Sequence, residues 1–248
     1  MKKLIVASAL ALTTLAGLAT STKVQASSTT KSAKVSFKQY KINKKYKNGV
    51  KTKFSYNLPQ LKGKSAAIKK INKDLKKIYS SEKSSFTRST QGYSQLAGAI
   101  KKFTPYSLTK TSVSYNKNGI ISFKVDHNWW TGYQINNKKI PYHFIGGWTY
   151  SLKNGKRLII TDIVKGSKSS VRKKLIAGAM KKFKIKKGEA VYVDMVDMIS
   201  GNVNLDYYLK GGKVYLYPDI IEPLNYDFTH HNPPIYYNSH FTIPSRYK

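Results

Sequence analysis

Four short turns constrain this chain more than any other feature. Asn48-Gly49, Asn118-Gly119, Asn154-Gly155 and Gly211-Gly212 each join two residues that tolerate positive φ, as a type I′ hairpin turn requires. Strand-like runs flank three of them: "KTSVSY" and "IISFKV" around 118, "WTYSL" and "RLIIT" around 154, "VNLDYYL" and "VYLY" around 211. Hairpins pair neighbouring strands antiparallel. Two amphipathic stretches interrupt the strands. Within residues 65–86, Ile68, Ile71, Leu75, Ile78 and Tyr79 form one stripe with lysines opposite. Within residues 161–183, Ser169 or Ser170 caps a helix whose inner face holds Val171, Leu175 and Ala179. "LAGAIKKF" at 96–103 echoes "IAGAMKKF" at 176–183, but the flanks do not match, which favours two independent amphipathic helices over a duplication. The expected fold is α+β, an antiparallel sheet of hairpins with about two main helices packed on it.

The N-terminal residues point to export. Lys2 and Lys3 precede an apolar run from Leu4 to Ala19, and Val24-Gln25-Ala26 is a small-x-small cleavage site. This is the pattern of a secretory signal peptide, residues 1–26. Residues 27–44 follow as a flexible basic linker, since their polar opening "SSTTKSAKVS" shows no periodicity. No later run is long and apolar enough to span a membrane. The chain has no cysteine, so its stability cannot rest on disulfides, which suits the exterior of a Gram-positive-type cell.

Charge narrows the partners. The formal net charge is +34, and loss of residues 1–26 lowers it by three lysines to +31. Residues 27–73 carry no acid, whereas Glu189, Asp194, Asp197, Asp206, Asp219, Glu222 and Asp227 gather seven of the eleven acids in one region. Such a chain is drawn to polyanions, with strong salt dependence. Arginine occurs only at 88, 157, 172 and 246. Arginine's fork reads bases and phosphates in bidentate fashion, while lysine is a hydrated point charge. Export and lysine bias together argue against a nucleic-acid partner and suit diffuse attraction to anionic wall polymers such as teichoic acids, or to the anionic membrane surface.

Chemistry-bearing motifs are few. There is no Gly-x-Ser-x-Gly, no cysteine nucleophile and no phosphate-binding loop. Asp194 with Asp197, or Asp219 with Glu222, has the composition of an acid–base pair, yet in so basic a chain these acids are better matched to its own lysines. Asp227, His230, His231 and His240 are zinc-type ligands, but their loop reads better as solvated surface. No catalytic residue, metal or cofactor is therefore expected. Aromatic residues are the stronger lead. One cluster holds Trp129, Trp130, Tyr133, Tyr142, His143 and Trp148, and a second holds Tyr226, Phe228, His230, His231, Tyr236 and Tyr237. Their flat faces and polar edges suit sugar rings and protein hot spots, or core packing. Adjacent strand residues point to opposite faces, so only one of Trp129 and Trp130 can face the sheet–helix core.

Several motifs, in order, carry a resemblance over most of residues 45–248. "FSYNLPQLKGKSAAIKKINKDLKK", "VSYNKNGIISFKVDHNWWTG", "WTYSLKNGKRLIITDIV" and "YYLKGGKVYLYPDIIEP", closing in "TIP", are similar to successive segments of one envelope family. That family comprises the extracellular region of the lysozyme-sensing anti-sigma-V factor and the accessory region before the catalytic domain of some peptidoglycan deacetylases. The resemblance implies that 45–145 and 146–248 are two halves of one compact domain, and that a lysozyme-like protein is a ligand. The departures are specific. The family's Gly-Gly-Ala-His turn is replaced by Trp130-Thr131-Gly132-Tyr133, its "PYEIAP" glutamate falls at Ile220, and a short turn becomes "LNYDFTHHNPPIYYNSHF". Neither an anti-sigma helix nor a deacetylase domain is present in this sequence.

These readings converge on a noncatalytic, secreted, wall-associated protein held by lysine-to-polyanion attraction, with aromatic loops that recognise glycan or protein. The expected ligand contacts are Trp129, Trp130, Tyr133, His143, Trp148, Tyr226, His230, His231, Tyr236 and Tyr237. The alternatives are a lysozyme-binding or lysozyme-inhibiting protein, docking through the acidic 189–227 region, and a wall-active hydrolase.

Overall fold

The computed structural model describes residues 32–94, 104–130, 132, 134–135, 138–139, 141–188, 196, 207–216 and 240–247. Strands β1 (Val35–Lys45) and β2 (Lys51–Leu61) form a hairpin across Asn48-Gly49, and helix α1 (Ala66–Gln91) follows. Strands β3 (Tyr106–Lys117) and β4 (Ile120–Trp130) form the second hairpin. After it come the short β5 (Gln134–Ile135) and β6 (Lys138–Lys139), then β7 (Tyr142–Ser151). A single turn of helix, α2 (Ile160–Ile163), leads to α3 (Lys168–Phe183), and β8 (Tyr207–Lys210), β9 (Lys213–Leu216) and β10 (Phe241–Pro244) complete the described elements. The main sheet runs β1-β2-β3-β4-β7, and a smaller one runs β10-β9-β8.

The α+β class is as expected, with one exception to the all-hairpin sheet. Strands β2 and β3 pair in parallel, from Lys53 opposite Tyr106 to Tyr56 opposite Thr109, because α1 carries the chain back across the sheet between them. The glycine turns behave unequally. Asn118 and Gly119 have φ of 56° and 71°, and Gly211 and Gly212 have 53° and 73°, so both turns close tight hairpins. Asn154-Gly155 also turns, but a lone bridge between Tyr150 and Arg157 follows it, and "RLIIT" runs into α2 rather than forming a strand.

Two further expectations are corrected. Residues 35–44, read as linker, are strand β1, paired with β2 along its whole length. Its lysines sit on exposed positions while Tyr40 and Ile42 pack inward, so charge hid a strand that only its partner reveals. The cap of α3 is Ser167 rather than Ser169 or Ser170, since its Oγ accepts from the Ser170 N–H at 3.2 Å. Val171, Leu175 and Ala179 do form the inner face. The division at 145/146 runs through β7. The signal peptide and the 96–103 echo lie outside the described residues.

Each sheet face has its own core. On one, α1 lays Ile68, Ile71, Leu75 and Tyr79 over Phe54, Tyr56, Phe123, Val125, Trp148 and Tyr150. Asn72 ties helix to sheet by bonding both backbone groups of Leu61 at 2.9 Å, in the manner of an added strand residue. On the other, the small sheet and α3 enclose Leu175, Leu209, Val214 and Ile243. A buried polar staple joins the sheets. Ser122 Oγ on β4 accepts from the Leu209 N–H on β8 at 2.9 Å and lies 2.8 Å from Thr149 Oγ1. Ser122→Ala removes that acceptor and strands the Leu209 N–H, so we expect a loss of about 1–3 kcal/mol in urea unfolding. A change under about 0.5 kcal/mol would show the bond to be dispensable.

Candidate functional site

The stripe that drives α1 onto the sheet does not stop at Tyr79. Steps of three and four residues carry it to Glu82 and Phe86, so a carboxyl group is delivered where an apolar side chain would be expected. Beneath it, β3 alternates Ser107, Thr109 and Thr111 on its inward face, all buried. On β4 the same face continues through Val125 to His127 and Trp129. Helix and sheet thus meet in a polar seam at one end of a hydrophobic core.

Three groups converge on a single oxygen of Glu82. Thr109 Oγ1 donates a short hydrogen bond to Oε1, Ser107 Oγ lies 3.5 Å from it, and His127 Nε2 also lies at 3.5 Å. Ser107 Oγ is 3.0 Å from that same His127 nitrogen. Burial pushes the Glu82 carboxyl above its usual range, against the opposing pull of the Thr109 and Ser107 hydroxyls. Burial, reinforced by His143, pushes His127 down to about 4. The imidazole is therefore neutral at neutral pH, and its approach to Glu82 is a polar contact rather than an ion pair. Deeper in the seam, burial and then the Glu82 charge raise the Tyr56 phenol, whose hydroxyl has no hydrogen-bond partner among the described residues.

A cavity of about 280 Å³ opens beside this cluster, and its lining includes Glu82, Phe86, Tyr93, Tyr106, His127, Trp129 and Trp130. The aromatic pair at the end of β4 divides its labour. Trp129 is half-buried on the helix-facing side, with its ring 4.7 Å from that of His127 and stacked on Tyr142 at 5.3 Å. Trp130 lies 5% exposed, opposite Tyr106, with the Lys139 ammonium 4.4 Å from its ring centre.

Serine, histidine and glutamate within contact distance invite a comparison with a nucleophilic triad, and the geometry rejects it. A triad needs the hydroxyl on one imidazole nitrogen and the carboxylate on the other. Here both meet Nε2. Among the described residues, no second carboxylate is placed for acid–base chemistry. Asp126 points to the opposite face of the sheet, where its Oδ1 pairs with His143 Nε2 at 2.8 Å, and Asp74 is two turns away on α1, bonded by the Tyr150 hydroxyl.

That opposite face is a second feature. A groove of about 660 Å³ crosses β1 to β4, lined by Gln39, Lys41, Asn43, Lys53, Ser55, Asn57, Lys110, Asp126 and Asn128. Strand alternation places these side chains in register: Lys41 opposite Ser55, Asn43 opposite Lys53, and Lys110 opposite Asp126.

The expected contact residues are thus dispersed. Trp129 and Trp130 line the cavity, His143 lies across the sheet from it, and Trp148 is core, 8% exposed beneath α1. Tyr133, Tyr226, His230, His231, Tyr236 and Tyr237 lie outside the described residues, as do Asp194, Asp197, Asp219, Glu222 and Asp227. Among the described residues, no group of three acids and histidines could hold a metal ion. Glu82, Ser107 and His127, which line the cavity, and Thr109, which holds Glu82, are not among the expected contacts. Two signals pointed to them: a carboxyl in the helix's apolar stripe, and three hydroxyl residues alternating along a strand.

Fold and site together define an α+β domain with a small carboxyl–imidazole cavity on one sheet face and a lysine-lined groove on the other. No family model and no curated protein matches the chain. Among solved structures it is similar to a DUF3298 family member from Bacteroides fragilis, at 16% identity and a TM-score of 0.42, covering 86% of this chain and 90% of that one. It is also similar to a DUF3298 family protein from Pseudomonas aeruginosa, at 12% identity and a TM-score of 0.48 with the same coverage. These likenesses are too distant to carry an argument about ligand or activity.

Proposed function

We propose that this protein is a noncatalytic exported domain that binds anionic wall polymers, of which teichoic acids are the type. The observation that carries this reading is the groove across β1–β4, where Lys41, Lys53 and Lys110 rise from a bed of amide and hydroxyl side chains. A regular sheet spaces such ammonium groups repeatedly along one face, which suits a polymer with repeating phosphates. Asp126, the groove's one carboxylate among the described residues, is held by His143, and three lysines outnumber it. Among the described residues, Lys41, Lys53 and Lys110 have no carboxylate partner in an ion pair. The rejection of triad geometry supports a binding role over a hydrolytic one.

The test is cosedimentation with cell walls before and after extraction of teichoic acid, across salt. Binding should require the polymer and collapse as salt rises, because exposed charges separated by more than a Debye length of about 8 Å are screened at physiological ionic strength. Replacing Lys41, Lys53 and Lys110 together by Gln should weaken binding about tenfold or more, on a scale of up to about 1 kcal/mol per lysine at an anionic surface. The matched α1 variant, Lys69, Lys73 and Lys76 to Gln, should weaken it less. Equal losses would assign the attraction to diffuse charge, and binding indifferent to salt would end the proposal.

A further inference from the structure

The cavity beneath α1 differs in kind from the rest of this surface. The chain has 45 lysines and arginines, yet none of the described ones lines the cavity, and the one carboxylate among its described lining residues is Glu82. Glu82 is held in a particular way. Thr109, Ser107 and His127 all address Oε1, whereas Oε2 has no hydrogen-bond partner among the described residues. The side chain is 20% exposed and lines the cavity. One oxygen is an anchor and the other is offered to whatever enters.

The walls match that charge. Phe86, Tyr93, Tyr106, Trp129 and Trp130 surround the opening, and aromatic faces attract cations through their quadrupoles. The chain itself shows the preference. Lys139 places its ammonium 4.3 Å from the Tyr106 ring centre and 4.4 Å from that of Trp130, two rings that also line the cavity. His127 is neutral at neutral pH and does not oppose a cation. A sugar ring is less well served. The indole of Trp129, the natural stacking platform, already has the rings of His127 and Tyr142 against it.

We propose that this cavity binds a small organic ammonium group, with Glu82 Oε2 as its counter-charge and the Tyr106–Trp130 pair as its aromatic wall. The volume of about 280 Å³ sits at the small end of ligand cavities, fitting an ammonium head with a few carbons rather than a whole polymer. Such a group is carried by an aminoacyl ester and by a lysine side chain of a protein alike. The inference stands apart from the polyanion reading, since the groove lies on the other face of the sheet and binds the opposite charge.

The experiment is a titration of the folded protein followed by tryptophan fluorescence and by the indole N–H resonances of Trp129 and Trp130. The probes are tetramethylammonium, alanine methyl ester, acetyl-lysine methylamide with a free side chain, and N-acetylglucosamine as the neutral control. Saturable shifts are expected with the ammonium probes and not with the sugar. A preference for alanine methyl ester over the lysine derivative, or the reverse, identifies the source. Glu82→Gln should weaken ammonium binding at least about tenfold, the loss of one charge-assisted contact. Lys139→Ala should tighten it several-fold by releasing the rings. Circular dichroism on both variants verifies the fold. Binding of the sugar in preference to the cations, an affinity unchanged by Glu82→Gln, or no saturation at concentrations on the order of tens of millimolar would each overturn the proposal.

Discussion

Gly147→Ala is expected to cost about 3 kcal/mol or more and to lower the unfolding midpoint accordingly. Gly147 lies in β7, where the small sheet crosses the main one. A Cβ placed there would sit 2.1 Å from the Phe123 carbonyl oxygen, 2.8 Å from Tyr208 Cβ and 3.0 Å from the Tyr207 carbonyl oxygen. Two of the three neighbours are backbone atoms, which cannot rotate away as a side-chain tip would. Relief therefore requires shifting β7 against β4 as well as prising β8 away, at the cost of the Ser122–Leu209 bond described above. Urea denaturation is the measurement. A Gly147→Ala protein within about 1 kcal/mol of wild type would show that the two sheets can separate at little cost.

The second large effect is a dependence on pH. His127 titrates near 6.5 when unfolded, and burial pushes it down to about 4 in the folded protein. The unfolded chain thus binds a proton that the folded one refuses. The stability this group supplies is complete above about pH 6.5 and is lost as pH falls toward 4, by up to about 3 kcal/mol. Glu82 works in the opposite sense. Its carboxyl is raised by burial, so its contribution is full below the unfolded value and is lost as pH rises through the raised one. In wild type the two changes partly cancel. His127→Gln removes one of them, so wild-type stability relative to the variant should decline by up to about 3 kcal/mol between pH 7 and 4. Urea midpoints at a series of pH values supply the curve. Parallel curves for the two proteins would mean that His127 is not held neutral.

Both results depend on features of different visibility. The helix stripe through Ile68, Ile71, Leu75 and Tyr79 was legible because 3.6-residue periodicity is local. The tight turns at 118–119 and 211–212 were legible because positive φ is a property of Asn and Gly themselves. Strand β1 was not, since its lysines resemble a solvated tail until β2 supplies eleven paired positions. The parallel β2–β3 pair was not, because a helix returning across a sheet leaves no turn signature. The Trp129-Trp130 pair fell between. Strand alternation required opposite faces, and Trp129 duly faces the helix side, but that the neighbouring Trp130 would be buried under Lys139 could not be read from alternation.

By itself, then, the sequence determined the α+β class, the two main helices, the tight hairpins and the cationic surface. Each of these follows from periodicity, turn chemistry or charge within a few residues. Only the tertiary structure decided which residues form a site. Glu82, Ser107 and His127 come from a helix and two strands, and they meet only because α1 crosses the sheet between β2 and β3. Long-range contacts of this kind depend on how elements pack, and no local pattern encodes the depth at which a carboxyl will come to rest.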